Sequence, residues 1–164
     1  SPVAQILAIT AQSAAVLLMI GAAWYDIRHY KIRNTVVLIF LLLYLPAAGL
    51  QGFQDWQGDL IAGAVLFAVG FVMWLLRGLG AGDAKLMFPL GMHLGFSGLL
   101  PFAILLMVFS MALYLGIVLS RILGAKRGIA GWMAGMKASG KVPYGMLLAM
   151  ASVPVLLLRI YLKA

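Results

Sequence analysis

The sequence predicts an all-α fold, a polytopic membrane protein with six transmembrane helices, and three observations carry that reading. The chain of 164 residues is 65% hydrophobic with a mean hydropathy of +1.08, whereas soluble domains are nearer half apolar. Six charge-free apolar runs follow one another, most of them close to the roughly 20 residues that span a bilayer core. The basic residues gather in alternate connections between those runs. The expected organisation is a single membrane-embedded unit over residues 1–164, with no separate soluble domain.

The runs are Ile6 to Tyr25, Thr35 to Gln54, Leu60 to Leu76, Met87 to Leu100, Pro101 to Ser120 and Val142 to Leu158. The first ends in Trp24-Tyr25-Asp26, an interfacial anchor rather than a small-residue cleavage site, so it reads as a retained helix. Between the third and fourth, Arg77-Gly78-Leu79-Gly80-Ala81-Gly82 supplies three glycines, which permit backbone conformations that residues with a Cβ avoid. A turn dipping toward the membrane is expected there. As a helix, Ala84 to Gly95 covers only about 18 Å, against a hydrocarbon core of about 30 Å. Either Asp83 is recessed below the headgroups, or the fourth span continues through Phe96 to Leu100 with a break at the glycines. Gly91 and Gly95 form a GxxxG pair suited to close helix approach. Residues 121 to 141 read as a solvated basic loop in preference to a weak interfacial helix on Ile129, Trp132, Met133 and Met136, because five glycines interrupt the stretch.

A net charge of +8 points to nucleic acid in a soluble protein, but here its distribution is a topology signal and no nucleic-acid partner is expected. Arg28, Lys31 and Arg33 follow the first span, Arg77 and Lys85 flank the glycine turn, and Arg121, Lys126, Arg127, Lys137 and Lys141 precede the last. The loops Gln51 to Gly58 and Gly95 to Gly98 carry none. By the positive-inside rule the basic connections are cytoplasmic and both termini lie outside, with Arg159 and Lys163 on the far side. The absence of cysteine excludes disulfides, a thiolate nucleophile and Cys-based metal sites. His29 and His93 stand apart, each without further ligands nearby in sequence, and read as hydrogen-bonded bystanders; no metal and no cofactor is expected.

The four acidic residues are all aspartates. Asp55 reads as a solvated loop residue, and Asp59 as a cap on the free N–H groups at the start of the third span. Asp26 and Asp83 each have a structural reading too, an interfacial ion pair or a helix cap. Together they fall at the same face of a bundle whose first and fourth spans can touch. Two carboxyl groups at about 3 Å do not both ionise readily and so share a proton. The ionised member then draws a proton from water attacking a peptide carbonyl, while the protonated member hydrogen-bonds the developing oxyanion.

Gly80-Ala81-Gly82-Asp83-Ala84-Lys85-Leu86-Met87 matches the GxGDxKL motif of the type IV prepilin peptidases, which the chain resembles from Asp26 to Gly145. Asp26-Ile27-Arg28 through Lys31-Ile32-Arg33-Asn34 resembles their first aspartate block, and Val142-Pro143-Tyr144-Gly145 their Val-Pro-Phe-Gly lead-in to the last helix. The resemblance implies an aspartyl endopeptidase of the bacterial inner membrane that removes the basic leader of prepilins or pseudopilins at the cytoplasmic face, with Asp26 and Asp83 as the catalytic pair. It implies Gly80, Gly82, Lys85, Asn34, Pro143 and Tyr144 as substrate-binding or dyad-supporting residues. Membrane lipid is the other expected partner, with self-association left open. Two departures stand out: Arg33 replaces the family's usual proline, and the large cysteine-containing cytoplasmic domain of the bifunctional enzymes is missing. The second argues against N-methylation and toward the short form of Tad/Flp-type pilus systems. Tyr25 and Tyr144 are either site-lining or interfacial-belt residues. The competing readings are a small proton-coupled transporter or channel subunit that uses intramembrane aspartates, and a non-catalytic assembly subunit packed through Gly91 and Gly95.

Overall fold

A computed structural model describes residues 1–139 and 141–163, and among these every regular element is a helix. Helix α1 is Pro2–His29, α2 Asn34–Gly49, α3 Trp56–Leu75, α4 Ala81–Ile122, α5 Gly128–Ser139 and α6 Tyr144–Lys163. Helices α1, α3, α4 and α6 are long and apolar enough to cross a membrane, and α2 is a shorter apolar helix. Large apolar side chains such as Leu17, Leu38, Ile61, Met107 and Leu115 are exposed. In water such an extended apolar surface is unfavourable, whereas lipid accommodates it.

The termini of these helices follow from local chemistry. Ser1 Oγ accepts the Ala4 N–H at 3.1 Å and Pro2 opens α1, a position where its missing N–H costs nothing. The helix stops at Tyr30, left-handed at φ 50°, whose N–H returns to the Asp26 carbonyl at 2.8 Å. Helix α3 ends in a Schellman arrangement: Gly78 N–H bonds the Met73 carbonyl, Arg77 N–H bonds that of Trp74, and Arg77 takes the left-handed position at φ 59°.

Helices α3 and α4 pack through missing side chains. A Cβ on Gly91 would collide with the Ala62 carbonyl, one on Gly63 would lie 2.9 Å from the Phe88 carbonyl oxygen, and one on Gly70 would lie 2.7 Å from Met87 Sδ. The expected close approach therefore holds for Gly91, but Gly95 has another role. At φ 69°, ψ 171° it breaks α4 in place of the expected outer loop at Gly95 to Gly98. Gly95 stands beside Arg159 near the end of α6, while Gly116 packs against Met133 of α5, shortly before α6 begins. The second half of α4 thus returns toward the end of the bundle where α4 started. Its 42 residues correspond to about 63 Å of helix, enough for two crossings of a roughly 30 Å core.

Two expectations are corrected here. Residues 128–139 form α5 rather than a solvated loop, because Met136 is buried and Met133 packs on Gly116, so tertiary contacts offset the glycine content. Asp59 does not cap α3: the N-cap is Asp55, whose side chain makes no capping bond, and Asp59 is buried inside the first turn. Its Oδ2 accepts from Tyr44 Oη of α2 at 2.6 Å. Nearby, Arg159 donates to the His93 carbonyl at 2.9 Å, two residues before the Gly95 break. These groups form a polar cluster at one end of the bundle. Met19, Phe40, Leu86, Leu90 and Leu94 fill the middle and are almost wholly buried.

Candidate active site

At the opposite end, four segments meet where α1 finishes and α6 begins. Asp26, in the last turn of α1, is buried. Its Oδ2 accepts the Gly145 N–H at 2.8 Å, and the Met146 N–H faces the same carboxyl group. The first N–H groups of a helix have no partner within it. A carboxylate from a distant helix therefore caps α6, where the helix dipole also favours negative charge.

Asp83 lies in the first turn of α4 behind its N-cap, Gly80. The carboxyl group folds back over Gly80, whose N–H is turned toward it, in the manner of half a capping box. The other oxygen, Oδ1, is buried and has no hydrogen-bond partner. Asp26 is close enough for its charge to bear on Asp83. Asp26 at the end of α1 and Asp83 at the start of α4 thus both border the buried Ile32 segment, through Gly145 and Gly82 respectively.

The glycines around them supply space rather than unusual torsions. A Cβ on Gly80 would stand 3.0 Å from Asp83 Oδ2, one on Gly82 would stand 2.7 Å from the Ile32 carbonyl oxygen, and one on Gly145 would stand 2.8 Å from Asp26 Oδ2. Gly80 has φ −69°, and the positive-φ glycines among the described residues are elsewhere, at 52, 95, 124 and 128. The expectation that the glycine turn needs conformations closed to other residues is thus replaced by a steric account. The left-handed residue of that turn is Arg77.

Ile32 is the hub. Its carbonyl lies against Gly82, its Cδ1 would lie 2.9 Å from a Cβ on Gly145, and the residue is buried. It locks the α1–α2 connection to the starts of α4 and α6. In the sequence Ile32 is visible only as part of Lys31-Ile32-Arg33-Asn34, and Gly145 only as the last residue of Val142-Pro143-Tyr144-Gly145.

The remaining expected residues form the surroundings. Pro143 is fully buried immediately before α6, and Tyr144 is half-buried against the core. Lys85 and Asn34 are exposed on the rim, with Lys85 Nζ 3.5 Å from Asn34 Oδ1. Tyr25 is engaged by Arg33, which donates to its hydroxyl at 3.1 Å and stacks 4.6 Å from its ring centroid. Arg33 has φ −74° and ψ 143°, a conformation proline also adopts, so the departure from proline leaves the local turn unchanged. Both histidines make hydrogen bonds, His29 with the Tyr25 carbonyl at 3.2 Å and His93 with that of Phe40 at 2.7 Å.

The profile of the type IV leader peptidase family matches residues 13–120, a stretch that contains both aspartates and stops short of the Val142–Gly145 lead-in. No curated protein and no solved structure matches the chain. With well over half its length inside that match, the chain belongs to the type IV leader peptidase family.

Proposed function

We propose that the chain is a prepilin leader peptidase that cuts the basic leader from a prepilin or pseudopilin of Flp type, using Asp26 and Asp83 to activate water. The burial of both carboxyl groups beside the same Ile32 segment, at the ends of two separate helices, supports this reading. Asp83 Oδ1, buried without a hydrogen-bond partner among the described residues, leaves one carboxyl oxygen available to a water or a substrate group. In the proposed reaction one carboxylate accepts a proton from water as the water oxygen bonds to the scissile carbonyl carbon. The protonated partner hydrogen-bonds the carbonyl oxygen and stabilises its developing charge. Collapse of the tetrahedral intermediate expels the amine, which takes a proton from the pair.

The same reading places the site at the cytoplasmic face of the bacterial inner membrane with both termini outside, on the strength of the basic connections. It includes no N-methylation step. The transport alternative needs a polar path between the two ends of the bundle, and Met19, Phe40, Leu90 and Leu94 make the intervening core apolar. Reconstitution in lipid with a prepilin tests the assignment. The unchanged chain cuts it, and Asp26→Asn and Asp83→Asn each abolish cutting; a variant that cleaves at the parental rate refutes the pair.

A further inference from the structure

The lipid-facing side of the bundle carries a groove of 730 Å³ between α1 and α6, running along α1 from Leu17 to Ile27 and along α6 from Met146 to Pro154. None of its lining residues is charged. Ile27 and Met146 form one end, and they directly follow Asp26 and Gly145, the two residues joined by the 2.8 Å hydrogen bond. Along both helices the groove therefore ends one residue from the candidate site. Its small residues include Gly21, Ala23 and Ala149, and a Cβ on Gly21 would meet nothing within 4 Å, so another backbone can come close.

The geometry points to this groove as the seat of the substrate's apolar transmembrane helix, with the peptide to be cut passing between Ile27 and Met146 to reach Asp26 and Asp83. The inference rests on the peptidase reading and names where its substrate docks. A chain segment in the hydrocarbon layer must satisfy its own backbone hydrogen bonds, so an occupant of an uncharged groove at this depth is an apolar α-helix. About 15 Å of α1 flanks the groove, which corresponds to three turns of contact. The recess on the other side of α1, toward α2, is less suited. It measures 220 Å³ and is lined in part by Lys31 and Arg33, whose charge opposes a basic leader.

The absence of cysteine makes the test direct. Ile20→Cys and Met150→Cys place single thiols in the groove, and Met107→Cys and Leu115→Cys place them on exposed apolar positions of α4. Each full-length variant is reconstituted in phospholipid vesicles with a prepilin bearing one cysteine in its apolar helix, and mild oxidation follows. Expected is disulfide capture of the prepilin from the groove positions about tenfold or more above the α4 positions, since docking raises the effective concentration of the thiols. Equal capture at all four positions, or none while the prepilin is still cleaved, overturns the docking site and leaves the peptidase reading standing. Capture of one copy by another through Met150→Cys in place of prepilin assigns the groove to self-association and also overturns it. If the unsubstituted chain fails to cut the prepilin, the peptidase reading falls and this inference with it.

Discussion

Asp26 and Gly145 are joined by a 2.8 Å hydrogen bond between a carboxylate at the end of the first helix and a backbone amide at the start of the last. The contact fixes the carboxyl group in orientation and ties the first helix to the last at the candidate site. Gly145→Ala adds a methyl group 2.8 Å from Asp26 Oδ2 and displaces it. Cleavage is expected to fall about 100-fold, the order of loss that follows misplacement of a reacting group by about 1 Å. Prepilin-processing rates check this, alongside thermal unfolding in detergent to show that the fold survives.

Gly80→Ala and Gly82→Ala differ in kind. The first presses on the movable carboxyl group of Asp83 and the second on the Ile32 backbone carbonyl. Overpacking against backbone costs about 1–3 kcal/mol or more, so Gly82→Ala loses stability as well as activity, whereas Gly80→Ala chiefly loses activity. Paired unfolding and cleavage measurements separate the two, and equal loss of stability in both contradicts the steric account.

Under the proposed mechanism, in which Asp26 and Asp83 hold one proton between them, cleavage is expected to have a bell-shaped dependence on pH. The acid limb marks protonation of the carboxylate that serves as base, and the alkaline limb marks loss of the proton the pair holds. Initial rates across the pH range, in vesicles whose integrity is monitored, test this. A flat profile refutes a two-carboxyl mechanism.

The bond between Tyr44 and Asp59 at the other end supports the fold rather than the chemistry. Asp59→Asn and Tyr44→Phe each disturb the 2.6 Å bond between α2 and α3. Each is expected to lower stability by about 1–3 kcal/mol, read from denaturant unfolding in micelles, while prepilin processing by the folded fraction persists.

Arg33→Pro is expected to fold and to cleave. The backbone at this position already has φ −74°, within the range that proline imposes, and the variant loses the cation–π contact to Tyr25. Unfolding of the variant well below the parental temperature contradicts that reading.

The two aspartates and the apolar segments were legible in the sequence because each leaves a local mark, a charge among apolar neighbours or a run without charge. The reversal at Gly95 was partly legible: the short reach of Ala84 to Gly95 pointed to a break, but not to one confined to a single residue. Asp59 was misread because a carboxylate near a helix start has a local explanation, and its true partner, Tyr44, lies on another helix. Ile32 and Gly145 act through contacts 50 or more residues apart along the chain, which no window of sequence displays. The role of the site glycines was invisible for the same reason, since the atoms that exclude a Cβ come largely from other segments.

The break in α4 has a mechanical consequence. The 14 residues from Ala81 to Leu94 form a segment of about 21 Å between Gly95 and the Asp83 end that Ile32 holds, so a tilt of about 3° about Gly95 corresponds to about 1 Å at Asp83. The guanidinium of Arg159, gripping this segment at His93 beside Gly95, sits where the smallest movement is magnified most. Stiffness at one end of the bundle is thereby converted into accuracy at the other.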